Sequence, residues 1–372
     1  MSGPARGSAR CLGTALGVLL VTGLLASGCA TPGRAAADGA LPDSVYERAL
    51  GGWEDQMQAR GKRLGEKFLD QPFERLNADP RAWYYDAQRV FLQIGDYLGE
   101  PDGRWARYAE RAGAAYLDYV QPDYRMPGYE RFPHGLFMAY QRSGDPALLD
   151  ALVALRDRGP FADVTSNAWA DGWYQQQYSR EIAYMLQTHV LAERAGAQRR
   201  PAALAGYVDR ALEHVRIWTT GDYRSSEPRW QFCQAFMAGL TASALIEYYE
   251  LTRASGAPDE RVPPRLRRLG DWLIEHMWVP GRRHGAFRYV RPGTPGVGGE
   301  TPAPDLNMLI VPLYGWLYRE TGVLRYRNVG DKAFAGGVSF AHLGPDKHFN
   351  QNYRSSFDYV QWRARGTERW QH

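Results

Sequence analysis

The chain is poor in cysteine. Of its 372 residues, three are cysteines, Cys11, Cys29 and Cys233, which excludes a disulfide framework as the source of stability. It also lacks the short motifs of the commoner catalytic chemistries. There is no glycine-rich phosphate loop, no G-x-S-x-G elbow and no H-E-x-x-H. Its eight histidines are scattered without metal-ligand spacing, so neither a metal nor a cofactor is expected. Alternation of strand type is nearly absent, apart from Phe287-Arg288-Tyr289-Val290. Net charge is small as well. The formal +4 falls to +2 once Arg6 and Arg10 are set aside, and scattered arginines leave no footprint for a nucleic-acid partner.

What is present begins at the N-terminus. Arg6 and Arg10 form a basic start, residues 12–26 are a short apolar run, and Ala26-Ser27-Gly28 precede Cys29. The run is too short and wrongly flanked for a spanning helix. The tetrapeptide resembles a bacterial lipobox, with alanine at 26 where such boxes usually carry leucine. The resemblance implies a signal peptide over 1–28, cleavage before Cys29 and acylation of its sulfur, which makes the membrane a partner through lipid. With Ala30 following, rather than aspartate, sorting to the outer membrane is expected in a Gram-negative cell. Residues 29–43 are rich in Ala, Gly and Pro and read as a flexible tether. Cys233 lies between Trp230, Phe232 and Phe236 and reads as a packing thiol, since no basic neighbour is at hand to activate it.

From residue 44 to 372 one unit recurs: helical pattern, glycine turn, helical pattern. The turns are at Gly99, Gly144, Gly196, Gly256 and Gly322, spaced 45, 52, 60 and 66 residues apart. Such self-similarity means stacked helical hairpins. Paired helices are expected at about 84–98 with 103–120, 133–143 with 146–158, 174–195 with 200–219, 230–254 with 260–278, and 306–321 with 324–336. A first helix from 44 to 70 and a last near 355–365 complete the set. The result resembles the all-α (α/α)6 toroid of many glycoside hydrolases, polysaccharide lyases and sugar epimerases. A tetratricopeptide-type solenoid has a shorter and stricter period.

Short turns on one side leave long connections on the other, at 121–133, 159–173, 219–229, 279–304 and 341–353, and ordered loops of that length are usually functional. Aromatic residues make up 13% of the chain. On these loops and the following helix starts, Tyr129, Trp173, Tyr174 and Trp230 stand among Gln231, Arg288, Asp305 and Asn307. Ring faces beside carboxylates, amides and guanidinium groups suit sugars, whose C–H faces stack while their hydroxyls take hydrogen bonds. Polar stripes at helical period add Glu181, Tyr184 and Thr188 on one helix and Gln231, Gln234 and Thr241 on another, and Arg89 stands one turn beyond Tyr85.

The expected function is a carbohydrate-active protein acting on an oligo- or polysaccharide, with a glycoside hydrolase placed first. A hydrolase needs two carboxyl groups, and Asp86 with Glu181 are the expected pair, with Asp171 or Asp305 as replacements. A lyase acting on uronates is the alternative, with Tyr129 or His134 as base and Arg288 neutralising the carboxylate. A non-catalytic lipoprotein that binds glycan or peptide needs only the aromatic lining, and a scaffold solenoid needs no closed cavity.

Overall fold

The computed structural model of the chain describes residues 44–163, 175–294 and 299–364. Over these residues the protein is mostly helical, with fourteen α-helices and one two-stranded sheet. The helices are α1 (Ser44–Asp70), α2 (Phe73–Ala78), α3 (Ala87–Leu98), α4 (Arg104–Val120), α5 (Pro133–Ser143), α6 (Pro146–Asp157) and α7 (Ser179–Arg194). They continue as α8 (Pro201–Thr220), α9 (Ala235–Ala254), α10 (Val262–His276), α11 (Val311–Thr321), α12 (Leu324–Ser339), α13 (Asp346–Tyr353) and α14 (Ser356–Arg363). Among the described residues no helix is long and apolar enough to cross a membrane.

The hairpins follow from local chemistry. Gly99, Gly144, Gly196, Gly256 and Gly322 all adopt left-handed backbone, with φ between 67° and 84°, a conformation that costs glycine nothing and ends a helix by turning its last carbonyls inward. Each is followed within a few residues by the next helix, and α6, α8, α10 and α11 carry proline in the first turn. Proline there loses no hydrogen bond and arrives with helical φ already set. The helices flanking each glycine pack against one another: α3 on α4, α5 on α6, α7 on α8, α9 on α10 and α11 on α12.

Between hairpins, α3 packs on α5, α5 on α7, α7 on α9, α9 on α11 and α11 on α14. A second series runs from α12 to α1 and from α1 to α4, and α8 packs on α10. The two ends of the described chain are tied together through Trp53. Its indole Nε1 donates to Ser356 Oγ at 3.0 Å, and the Tyr353 hydroxyl donates to the Trp53 carbonyl at 2.8 Å. Trp53 is completely buried, which contributes on the order of 3 kcal/mol.

Three departures from the sequence expectation matter for the site. Helix α3 begins at Ala87 rather than near 84, because Tyr85 and Asp86 take φ of 66° and 69°. Left-handed backbone at a bulky aromatic is strained by roughly 1–3 kcal/mol and is held only by its surroundings. The expected long connection at 341–353 contains the helix α13. The strand alternation expected over 287–290 is a strand only at its start, in Ala286–Phe287 paired antiparallel with Trp278–Val279, and beyond it single bridges join Arg288 to Pro302 and Val290 to Gln234.

Candidate functional site

Asp86, Glu181, Gln231 and Asn307 stand at or just before the N-terminal ends of α3, α7, α9 and α11, helices whose opposite ends lead into the glycine turns. Their surroundings differ. Asp86 caps α3: its Oδ1 accepts from the Arg89 amide at 3.1 Å, and its Oδ2 accepts from the Gly135 amide at 3.0 Å. A Cβ on Gly135 would lie 2.4 Å from Asp86 Oδ1, so only glycine lets α5 approach this closely. With both oxygens held by backbone amides, the buried carboxylate serves as a double cap joining two helices. Asn307 is also a clamp. Its Nδ2 donates to the carbonyls of Gly285 at 2.9 Å and Ala333 at 2.8 Å, and its Oδ1 accepts from the Phe287 amide.

Near Asp86 a rim of aromatic and charged side chains comes together. Tyr84 and Tyr85 lead into α3, Tyr129 lies on the 3-10 turn 128–130, Arg180 and Glu181 open α7, and Lys347 opens α13. Tyr84 and Tyr129 ring centres are 6.4 Å apart. The Arg180 guanidinium stands 4.8 Å over the Tyr129 ring, and the Lys347 ammonium 5.0 Å over the Tyr84 ring. Arg180 Nη2 also donates to Glu181 Oε1 at 2.8 Å, whereas the buried Glu181 Oε2 has no hydrogen-bond partner. Gly128 covers Glu181 so closely that a Cβ would meet its Cγ at 2.9 Å. Behind this rim the fully buried Arg354 donates from Nη1 to the Tyr184 hydroxyl at 2.9 Å and lies 5.6 Å from the Tyr85 ring. Burial pushes the phenols of Tyr84 and Tyr85 well above their ordinary value, so neither is poised as a base at neutral pH.

Arg89 and His134, both expected at the site, are drawn together with two acids that the sequence reading did not name. Arg89 Nη2 pairs with Asp358 Oδ2 at 3.1 Å, linking α3 to α14. His134 Nε2 lies 3.0 and 3.1 Å from the two oxygens of Glu247, linking α5 to α9, and Gln187 of α7 donates to Glu247 Oε1 at 2.8 Å. Burial drives the His134 imidazole below its ordinary value, so the neutral ring donates from Nε2 to an ionised Glu247. Burial raises the Asp358 carboxyl, against the pull of Arg89. All four groups line a cavity of about 450 Å³ that includes Ser243 and Trp362. A second cavity of about 500 Å³ shares Arg89, His134 and Arg194 and extends to Gly99 and Arg142. Both therefore reach the C-terminal turns of the helices, away from the long connections.

The remaining expected residues are separate. Trp230 is half-buried on the 3-10 turn 228–230, and Gln231 Nε2 donates to the Ser226 carbonyl at 3.0 Å, holding its own loop. Arg288 Nη1 donates to the Glu300 carbonyl at 2.8 Å. Asp305, half-buried, accepts from Gln351 Nε2 through its backbone carbonyl at 2.9 Å, and its charge acts on His348 beside Lys347. Cys233 is a buried free thiol, pushed up to about 12 by burial. Asp171, Trp173, Tyr174 and Cys29 lie outside the described residues.

Three signals went unread. Lys347 stands in Pro345-Asp346-Lys347, a helix start hidden in what reads as a loop. Glu247 is nine residues from Ala238, and at about 100° per residue it lies on the opposite side of α9 from the polar stripe. Asp358 has its partner 269 residues away, beyond any local pattern. No protein-family model, curated protein or solved structure matches this chain, so the functional reading rests on the geometry.

Proposed function

We propose that this protein is a carbohydrate-active lipoprotein, a glycoside hydrolase held at the cell envelope through Cys29, with its glycan site at the rim formed by Tyr84, Tyr129, Arg180, Glu181 and Lys347. The observation that carries the reading is Glu181. Its carboxylate is buried, one oxygen is oriented by Arg180, and the other has no donor. A buried carboxylate oxygen without a protein donor is completed by a ligand, a water or a proton, and among the described residues Glu181 Oε2 is the one carboxylate oxygen so placed. Beside it stands the exposed Tyr129 ring, of the kind that stacks on sugar faces, backed by the buried Tyr84 ring. Glu181 acts in this proposal as general acid and base toward the glycosidic oxygen. A second carboxylate, Asp305 or Asp171, activates water or attacks the anomeric carbon.

The (α/α)6 toroid is part of the same proposal. It is supported by the order in which α3, α5, α7, α9, α11 and α14 pack, and by the Arg89–Asp358 pair that joins the last of them to the first. On this reading the Arg89–Asp358 ion pair and the His134–Glu247 hydrogen bond are struts between neighbouring helices, since a buried charge is tolerated only when it is paired or hydrogen-bonded. One observation favours a second reading. Glu247 and Asp358 come from different helices and line one cavity, as the two carboxylates of a hydrolase must.

Release of reducing ends from a panel of oligosaccharides tests both. Glu181→Gln should lose about 10²- to 10⁴-fold in turnover, the usual cost of removing one acid–base role. Asp358→Asn and Glu247→Gln should lower stability and leave the chemistry of the folded enzyme in place. Full activity in Glu181→Gln, with turnover lost in folded Asp358→Asn, would move the site to the cavity.

A further inference from the structure

Among the described residues the rim's cations are unequally matched by acids. Arg180 is matched by Glu181, and the charge of Arg354 is answered by the nearby Asp86. Lys347 is not matched. It is one of only four lysines in the chain, and among the described residues no carboxylate and no hydrogen bond reaches its ammonium group. It rests half-buried in the first turn of α13, 5.0 Å from the Tyr84 ring and 5.9 Å from the Tyr85 ring. Burial, and beside it the charge of Arg180, a second cation, lower its affinity for a proton.

Holding two cations together in a partly desolvated cleft is costly unless an anion completes the set. Tyrosine faces lessen that cost without removing it. The backbone amides at the start of α13 add to the positive potential beside Lys347. An anion delivered here has an aromatic face next to it, so the complementary ligand has an apolar ring face and a carboxylate on one molecule.

We infer that Tyr129, Arg180 and Lys347 form a subsite for a carboxylated sugar, a uronate unit whose ring lies on the exposed Tyr129 and whose carboxylate meets Lys347 and the free side of Arg180. The inference rests on the glycan reading above and narrows it to acidic glycans. It also gives α13 a reason to place a lysine between aromatic rings when nearly all of the chain's other cations are arginines. Lysine is a compact point charge on a flexible stem, able to follow a carboxylate, whereas Arg180 is already committed on one edge to Glu181.

Calorimetric titration of the full mature chain with oligouronates and their methyl esters, alongside neutral oligosaccharides, tests this. The acid forms should bind about tenfold or more tighter than the esters, as expected for one charge-assisted hydrogen bond in a half-buried site. Lys347→Met should abolish that difference and Lys347→Arg should retain most of it, each with an unchanged thermal midpoint. Sodium sulfate at matched ionic strength should not displace the sugar. Equal binding of acid and ester by the wild type overturns the uronate subsite and leaves the glycan reading standing. Displacement by sulfate alone makes this a general anion site, and binding of neither acidic nor neutral oligosaccharides defeats the glycan reading itself.

Discussion

Replacing Asp86 separates a structural cap from a catalytic acid. Asp86 accepts one hydrogen bond from the Arg89 amide and one from the Gly135 amide, in a buried setting. A hydrogen bond to a charged group contributes about 1.5–3 kcal/mol. Asp86→Asn keeps one oxygen acceptor and keeps a residue that tolerates left-handed backbone, so it should cost about 1–3 kcal/mol. Asp86→Ala orphans both amides and keeps the left-handed backbone without the side-chain oxygens that help aspartate hold it, for a total loss of about 2–6 kcal/mol. Urea unfolding at pH 7, followed by tryptophan fluorescence, reads both values as shifts in midpoint at constant slope. Asp86→Asn should still turn over substrate while folded. A wild-type unfolding midpoint in Asp86→Asn together with abolished turnover would refute the cap and return Asp86 to the chemistry.

His189 supplies a pH dependence. Burial depresses its imidazole from the ordinary 6.5 to about 4, so the unfolded chain binds the proton more readily. The associated stability is complete above about pH 6.5 and is lost as pH falls toward 4, by about 3 kcal/mol at the limit. Urea midpoints at pH 7.5 and 4.5 should converge for His189→Gln relative to the wild type, and parallel shifts would contradict the assignment. At the N-terminus, mass spectrometry of the mature protein should show an acylated Cys29, and a mature chain beginning elsewhere, unmodified, would remove the membrane anchor from the account.

How much was legible in the sequence depends on how local each cause is. The five turns were, because a glycine at positive φ declares itself without any partner. The place of Glu181 in a polar stripe was, because it continues a helical period with Tyr184 and Thr188, and all three are buried on α7. Asp86 was named as one of the expected catalytic pair, but its partners are two backbone amides, one brought by the approach of Gly135. No pattern in the residue types around position 86 announces that contact. The same holds for Arg89, which stands three residues from Asp86 yet pairs with Asp358 on the last helix. Asn307 reads as a sugar ligand by composition and turns out to close three backbone hydrogen bonds. Helix α13, eight residues long, is too short for hydrophobic period to reveal, and Lys347 was lost with it.

The central claim is that a glycan occupies the rim over Glu181. The most direct test is a crystal structure of Glu181→Gln soaked with an oligosaccharide that the wild type cleaves. The account predicts sugar density against Tyr129, within hydrogen-bond reach of residue 181 and Lys347. Density in the cavity between Glu247 and Asp358, with the rim empty, would contradict it.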